Sequence, residues 1–187
     1  MTAQNFTRYA FTDSVKAVQE TNGSRKSYAR MEAGGDRYVL TKDEIKFIES
    51  RDSFYISTVG ENGWPYVQHR GGPKGFLKVL DSTTLSMADF RGNMQYISTG
   101  NINAGHKAAL ILMDYPGKQR LKIWATAEIL DIETHPELFN QTMPNNYRAQ
   151  AERLMTFKIQ AYDWNCQQHI TPRYTLEEFE ILQEMNA

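Results

Sequence analysis

Disulfide bonds and membrane spans are the first features that this sequence excludes. Cys166 is its single cysteine among 187 residues, so no disulfide can form within the chain, as is typical of proteins in a reducing cytoplasm. The longest uninterrupted apolar run, Ala108 to Met113, is far shorter than the roughly 20 residues that a membrane-spanning helix needs. The N-terminus MTAQNFTRYAF has no basic start followed by an apolar core, so it does not resemble a secretory signal. We therefore expect a cytoplasmic protein that does not bind membranes.

An excess of positive charge and several catalytic motifs are also missing. The 21 basic and 22 acidic residues leave a net charge of −1, so we expect no nucleic-acid partner, and any anion site must be local. The sequence contains no phosphate-binding P-loop, no Gly-x-Ser-x-Gly nucleophile elbow and no His-Glu-x-x-His zinc motif. Cys166 and His169 have a zinc-like spacing, but a zinc site needs four ligands and no second pair lies nearby. We expect no metal site, and a buried, inert cysteine.

Short runs of β-branched and aromatic residues, separated by turns, fill the middle of the chain. The expected strands are 53–59, 64–70, 75–81, 83–90, 107–115, 119–132 and 153–165. Most connections are of hairpin length, which favours antiparallel pairing, because a parallel crossover takes a dozen residues or more. The pattern predicts a single domain over 1–187 of mainly β (α+β) class: an antiparallel, six- to seven-stranded β-barrel with peripheral helices.

Helices are predicted at the edges of this barrel. Thr41 followed by Glu44 matches a capping box that opens a helix ending near Arg51. Further helical segments are expected at 12–19, within 91–105, after His135 and at 175–185. The last should be amphipathic, with Leu176, Phe179 and Leu182 facing inward. Residues 1–40 are interpreted as an N-terminal arm, whose stretch 20–38 is polar and contains glycine.

Three clusters of polar and glycine residues are candidates for a ligand site. The first is Gln68-His69-Arg70-Gly71-Gly72 with the nearby Lys74 and Lys78, the second is Arg91-Gly92-Asn93 with Gln95, and the third is 163–169 around Trp164. The second is the most informative, because a helix start offers unpaired N–H groups and a partial positive charge. Arg91 and Arg70 could add two cations to a phosphate held there.

Each cluster also has a purely structural interpretation. Gly71 and Gly72 could belong to a simple hairpin loop, and Arg70 and Arg91 could be solvated surface residues. Trp164 could fill the core instead of stacking on a planar ligand. These alternatives remain open at the level of composition and spacing.

Three segments taken together resemble the FMN-binding split β-barrel family that is related to pyridoxamine 5′-phosphate oxidase. They are SFYISTVGENGWPYVQHRGGPKGFLKVLD, ADFRGNMQYISTGN and YDWNCQQHITPR, and GSRKSYARM resembles the N-terminal arm of the same branch. The resemblance implies an antiparallel Greek-key split barrel that forms a homodimer, with FMN in two clefts between the subunits. The strand 64–70 and the segment 91–95 would hold the flavin, and residues near Trp164 would come from the opposite subunit. The implied cofactor-binding residues are Gln68, His69, Arg70, Gly71, Lys78, Arg91, Gly92, Asn93, Gln95 and Trp164.

The sequence also departs from the vitamin B6 oxidases themselves. Those enzymes carry an Arg-Lys pair where this chain has Gly92-Asn93-Met94, and they end with substrate-binding motifs where it reads EFEILQEMNA. We therefore expect an FMN-dependent oxidoreductase that acts on a different, unidentified small molecule, and we assign no catalytic residue. The alternative is a non-catalytic flavin store or sensor, or a barrel that binds haem through His69, His106 or His169.

Overall fold

One seven-stranded antiparallel sheet dominates the computed structural model, which describes residues 4–185. The strands are β1 (Ser53–Val59), β2 (Pro65–Gly71), β3 (Lys78–Asp81), β4 (Thr84–Phe90), β5 (Lys107–Asp114), β6 (Gln119–Leu130) and β7 (Ala151–Trp164). The helices are α1 (Thr7–Ala10), α2 (Asp13–Thr21), α3 (Arg25–Glu32), α4 (Lys42–Glu49), α5 (Ile97–Gly105), α6 (Pro136–Thr142) and α7 (Leu176–Met185). None of these helices is long and apolar enough to cross a membrane. The predicted mainly β, antiparallel architecture with peripheral helices is confirmed.

The sheet curls into an open barrel. Its strand order is β2-β1-β5-β6-β7-β4-β3, so two hairpins flank a central β5-β6-β7 meander. In a flat sheet, β2 and β4 would lie five strand spacings apart, or about 24 Å. Instead, Arg70 Nη1 on β2 lies 2.5 Å from Asp89 Oδ1 on β4. This ion pair therefore joins two strands that the curled sheet brings face to face.

The core fills the inside of this curve. Ile56, Leu110 and Ile123 come from neighbouring strands and are almost fully buried. Phe54 on β1 contacts the rings of Phe76 and Phe157, with ring centroids 5.7 and 6.4 Å apart. Because Phe157 lies on β7, three strands away in the sheet, this aromatic contact also requires the curl.

The turn before β3 explains why that strand begins at Lys78, later than predicted. Gly75 has a φ of +74°, and its N–H donates to the Arg51 carbonyl at 2.9 Å. A Cβ on Gly72 would lie 2.8 Å from the ring of Phe76. The glycines here thus serve a tight turn packed on the core.

Three other expectations were wrong. The stretch interpreted as a loose part of the N-terminal arm contains α3. Along α7, Leu176 and Phe179 are exposed instead of facing inward, because this helix lies outside the barrel core, and Leu182 is half-buried. Cys166 is also exposed, since it follows the end of β7 instead of lying within the sheet.

The predicted capping box at the start of α4 is confirmed. The Thr41 side chain accepts from Asp43 N–H at 3.3 Å, and Glu44 Oε2 accepts from Thr41 N–H at 2.9 Å. We expect Thr41→Ala to lower the free energy of unfolding by about 1 kcal/mol, measured by urea denaturation. Thr175→Ala removes the corresponding cap from the exposed α7 and should cost less. If both variants lost the same free energy of unfolding, the cap of α4 would have no greater structural role than the cap of α7.

The ion pair between β2 and β4 gives a second prediction. Asp89→Ala would leave the largely buried Arg70 guanidinium without its carboxylate, so the free energy of unfolding should fall by about 3 to 5 kcal/mol. Glu177→Ala breaks an exposed pair with Lys74 and should cost no more than about 1 kcal/mol. Similar losses in urea denaturation would show that the Asp89 pair does not hold the barrel together.

Candidate functional site

A small polar cavity of about 170 Å³ lies where β2 faces the end of β4 and the start of α5. Its walls come from these two strands, from the start of β7, from the loop 91–96 and from the first turn of α5. The lining residues are Gln68, Arg70, Asp89, Phe90, Gly92, Asn93, Met94, Tyr96, Ile97, Ser98, Thr99 and Glu152. The curl of the barrel creates this cavity, since it brings β2 next to β4.

Paired charges form one side of the cavity. Asp89 is bound by Arg70 and lies 3.7 Å from Arg153 Nη1, while Arg153 Nη2 donates to Glu152 at 2.6 Å. Burial raises the pKa of Asp89, and the two guanidiniums offset this effect only in part. Arg70 Nε is buried and has no hydrogen-bond partner within residues 4–185. The two arginines and two carboxylates nearly balance, so additional positive charge must come from elsewhere.

The start of α5 supplies hydrogen-bond donors on the other side. Ile97, Ser98 and Thr99 form its first turn, where N–H groups have no partner within the helix. The Ser98 hydroxyl donates to Gln68 Oε1 at 2.8 Å and thereby fixes the helix to β2. Tyr96, immediately before the helix, has a left-handed backbone with φ of 53°. Such a conformation is costly for a non-glycine residue and is common beside functional sites.

The ring of Tyr96 is held in place by the same charge cluster. The Arg153 guanidinium lies 4.6 Å from the ring centroid, and the Tyr96 hydroxyl donates to Glu152 at 3.3 Å. Arg153 Nη1 also donates to Thr99 Oγ1 at 3.2 Å. The cavity wall is therefore cross-linked from β7 to α5 through one arginine.

Of the residues predicted from the sequence, Gln68, Arg70, Gly92 and Asn93 line this cavity. The His69 side chain points to the opposite face of β2, because side chains alternate along a strand, and Gly71 occupies a position on that same face. The His69 ring packs on Tyr55 instead, with centroids 5.4 Å apart.

Three more predicted residues, Arg91, Gln95 and Lys78, lie outside the cavity. The Arg91 side chain is about half exposed, and its Nε is 3.9 Å from Glu152. Gln95 is exposed, and its N–H donates to Asn93 Oδ1 at 3.1 Å. Lys78 lies on β3, opposite Ser86. Arg91 is close enough to add charge at the rim, whereas Lys78 belongs to another strand.

Trp164 lies far from the cavity within one chain. It ends the 14-residue strand β7, whose other end carries Glu152, and the two are roughly 40 Å apart along the strand. The Trp164 indole N–H donates to Glu44 Oε1 at 2.7 Å, and its ring meets Phe47 edge-to-face at 4.7 Å. Burial acts to raise the pKa of Glu44, but hydrogen bonds from Thr41 and Trp164 outweigh it and lower that pKa. Trp164 thus forms one wall of a separate open groove of about 490 Å³ beside α4.

The sequence interpretation missed several residues of the cavity. Asp89 could have been found from the sequence, because a carboxylate beside Met87, Ala88 and Phe90 in a strand is unusual unless it is paired. Ser98 and Thr99 carried a weaker signal, as hydroxyls in a first helical turn. Glu152 and Arg153 gave none, since their contact with the 89–99 region depends on the pairing of β7 with β4.

Several solved structures share the fold of this chain. A candidate pyridoxamine 5′-phosphate oxidase from Lactobacillus delbrueckii is 21% identical, with a TM-score of 0.53 over 67% of this chain and 94% of that protein. HupZ from Group A Streptococcus is 14% identical, with a TM-score of 0.51 over 72% and 100% of the two chains. General stress protein 26 from Bacillus anthracis is 14% identical, with a TM-score of 0.50 over 66% and 92%. None of the curated proteins matches the sequence significantly.

A sequence comparison with family models assigns the chain to a family. The model described as pyridoxamine 5′-phosphate oxidase matches residues 40–169. This range contains all seven strands, every residue that lines the cavity, and Trp164. The chain therefore belongs to the pyridoxamine 5′-phosphate oxidase family.

Proposed function

We propose that this protein is a homodimeric FMN-binding flavoprotein that transfers hydride or electrons between FMN and a small molecule. The observation that carries the proposal is the cavity in which Arg70 meets the first turn of α5, in a chain of this family. The cofactor would supply the redox chemistry, and the protein would supply binding, orientation and charge.

The cavity fits the phosphate end of FMN. Its volume of about 170 Å³ is below the roughly 300 to 1,000 Å³ of sites that enclose a whole drug-sized ligand. The helix start offers backbone donors for an anion, and Arg70 carries a buried N–H without a partner among residues 4–185. A Cβ at Gly92 would meet nothing within 4 Å, so the backbone there is open to approach. Arg91 at the rim would add the positive charge that the balanced cluster lacks.

The flavin ring would then extend beyond the cavity, and the second subunit of the proposed homodimer would complete its binding site. A second cavity of about 240 Å³ lies on the outside of the sheet, across β2, β1, β5 and β6. We name it the outer groove; it is lined by Tyr55, Ser57, Val67, Ala109, Leu110, Ile111, Lys122, Ile123 and Trp124. Exposed apolar surfaces of this kind commonly mark interfaces. A second copy would cover it and would bring its own Trp164 towards the ring.

A non-catalytic flavin carrier is the second candidate. It is favoured by the pairing of both carboxylates that line the cavity, Asp89 and Glu152, with arginine side chains. Haem binding at this site has less support, because His69, His106 and His169 are not among the lining residues. The substrate would differ from pyridoxamine 5′-phosphate, since Gly92-Asn93 replaces the Arg-Lys pair of the vitamin B6 oxidases.

The phosphate contact can be tested by comparing FMN with riboflavin. We expect the protein to bind FMN with a flavin absorbance band and to bind riboflavin at least about tenfold more weakly, a difference of about 1.4 kcal/mol. Arg70→Ala combined with Arg91→Ala should weaken FMN binding by more than about tenfold and riboflavin binding much less. Dissociation constants would be measured by flavin fluorescence titration.

The matched control is Arg30→Ala with Arg148→Ala, which removes two exposed arginines outside the cavity. Thermal unfolding of each variant checks that the barrel is intact, because Arg70 also pairs with Asp89. Equal affinities for FMN and riboflavin would show that the cavity is not the phosphate site. If the protein bound neither flavin, the proposed flavoprotein function would be wrong. Once FMN is bound, its reduction by a nicotinamide donor and reoxidation by oxygen separate an oxidoreductase from a carrier.

A further inference from the structure

We propose that helix α7 of one chain docks in the outer groove of a second copy, so that each subunit of the dimer clasps the other. The inference rests on the homodimer of the proposed function but is independent of FMN binding. Two surfaces carry it, both exposed in the single chain and complementary in polarity and charge.

The first surface is the apolar side of α7. Leu176 is 83% exposed, Met185 is 77% exposed and Phe179 is about half exposed. A ten-residue helix is too short to be stable alone in water. The ion pair between Glu177 and Lys74, at 3.4 Å, is exposed on both sides and contributes little. The helix therefore needs a surface to pack against.

The second surface is the outer groove. Val67 and Tyr55 lie exposed along it, and apolar side chains of β5 and β6 form its floor. Lys122 lines the groove, and Arg120 follows on the same face of β6. Arg120 Nε is buried without a hydrogen-bond partner within residues 4–185. Asp163 on β7 lies across from Lys122, and Arg37 also lies close to Asp163. The groove is thus apolar in its centre, and towards one end three cations and one carboxylate leave a net positive charge.

Charge selects α7 as the occupant. The helix carries Glu177, Glu178, Glu180 and Glu184 and contains no lysine or arginine. Leu176 and Phe179 are three residues apart, so they lie about one turn from each other on the same face of the helix. An amphipathic helix that presents such anchors to an apolar groove is a common recognition mode. The acidic flank would then face Lys122 and Arg120.

A second copy, instead of the same chain, satisfies both surfaces. Within one chain, α7 lies beside Lys74 in the turn after β2, where Leu176 and Phe179 stay exposed while the groove stays open. A twofold axis would place each α7 in the groove of the other subunit and close the assembly with two identical contacts.

Disulfide trapping tests the contact directly, in a Cys166→Ser background. One chain would carry Val67→Cys and a separately purified chain Phe179→Cys, and mild oxidation of the mixture should give a linked dimer on a non-reducing gel. The control replaces Phe179→Cys with Glu133→Cys, an exposed turn position, and should not link to Val67→Cys. A chain with both Val67→Cys and Phe179→Cys that oxidises only to an internally linked monomer would overturn docking on a second copy.

Charge reversal provides a second readout that does not depend on engineered cysteines. Lys122→Glu should weaken dimerisation by more than about tenfold, measured by light scattering across a concentration series, and Glu180→Lys with Glu184→Lys in the same chain should restore it. A dimer that neither links nor responds to these changes overturns the α7 contact while leaving the proposed function intact. A wild-type protein that is monomeric at all concentrations overturns the homodimer as well, and FMN titration of that monomer tests the cofactor separately.

Discussion

The contact of Asp89 with Arg70 and Arg153 is the constraint on which the cavity depends. It joins β2, β4 and β7 at one point, although β2 and β4 are far apart in the order of the sheet. All three side chains are largely buried, so the pairing must offset a considerable desolvation penalty. The contribution of this contact is geometric, because it holds Arg70 beside the first turn of α5, where the proposed phosphate would bind. A hydrophobic substitute could fill the same volume but would leave no cation there.

Strand β2 shows how one segment can serve two surfaces. Gln68 and Arg70 face the cavity, whereas Val67 and His69 face outwards, because the side chains of a strand alternate. A shift of β2 by one residue against β1 would exchange the two sets. The pairing of Phe54 with Arg70 and of Ser57 with Val67 therefore fixes both the cavity and the outer groove at once.

Much of the fold was predictable, because its signals are local. All seven strands, their antiparallel pairing through short turns and the capping box at Thr41 follow from patterns within a few residues. The site was predictable only in part. Gln68, Arg70, Gly92 and Asn93 were recognised as unusual residues beside turns, whereas Glu152 and Arg153 reach the cavity through strand pairing over some 60 positions. The wrong prediction for α7 has the same cause, because it also depends on contacts between distant residues. The periodicity of the segment predicts an amphipathic helix, whereas tertiary and quaternary contacts decide which surface covers its apolar side.

The open ends of the sheet have a consequence for solubility. Among residues 4–185, β2 and β3 each have a neighbouring strand on one side only. A free strand edge invites aggregation, because strands from other molecules can add to it. In this protein β3 has only four residues and a register shift beside Asp81, while β2 begins with Pro65, which has no N–H to donate. Both edges are thus poor templates for further strands, which restricts association to the faces and helices of the barrel.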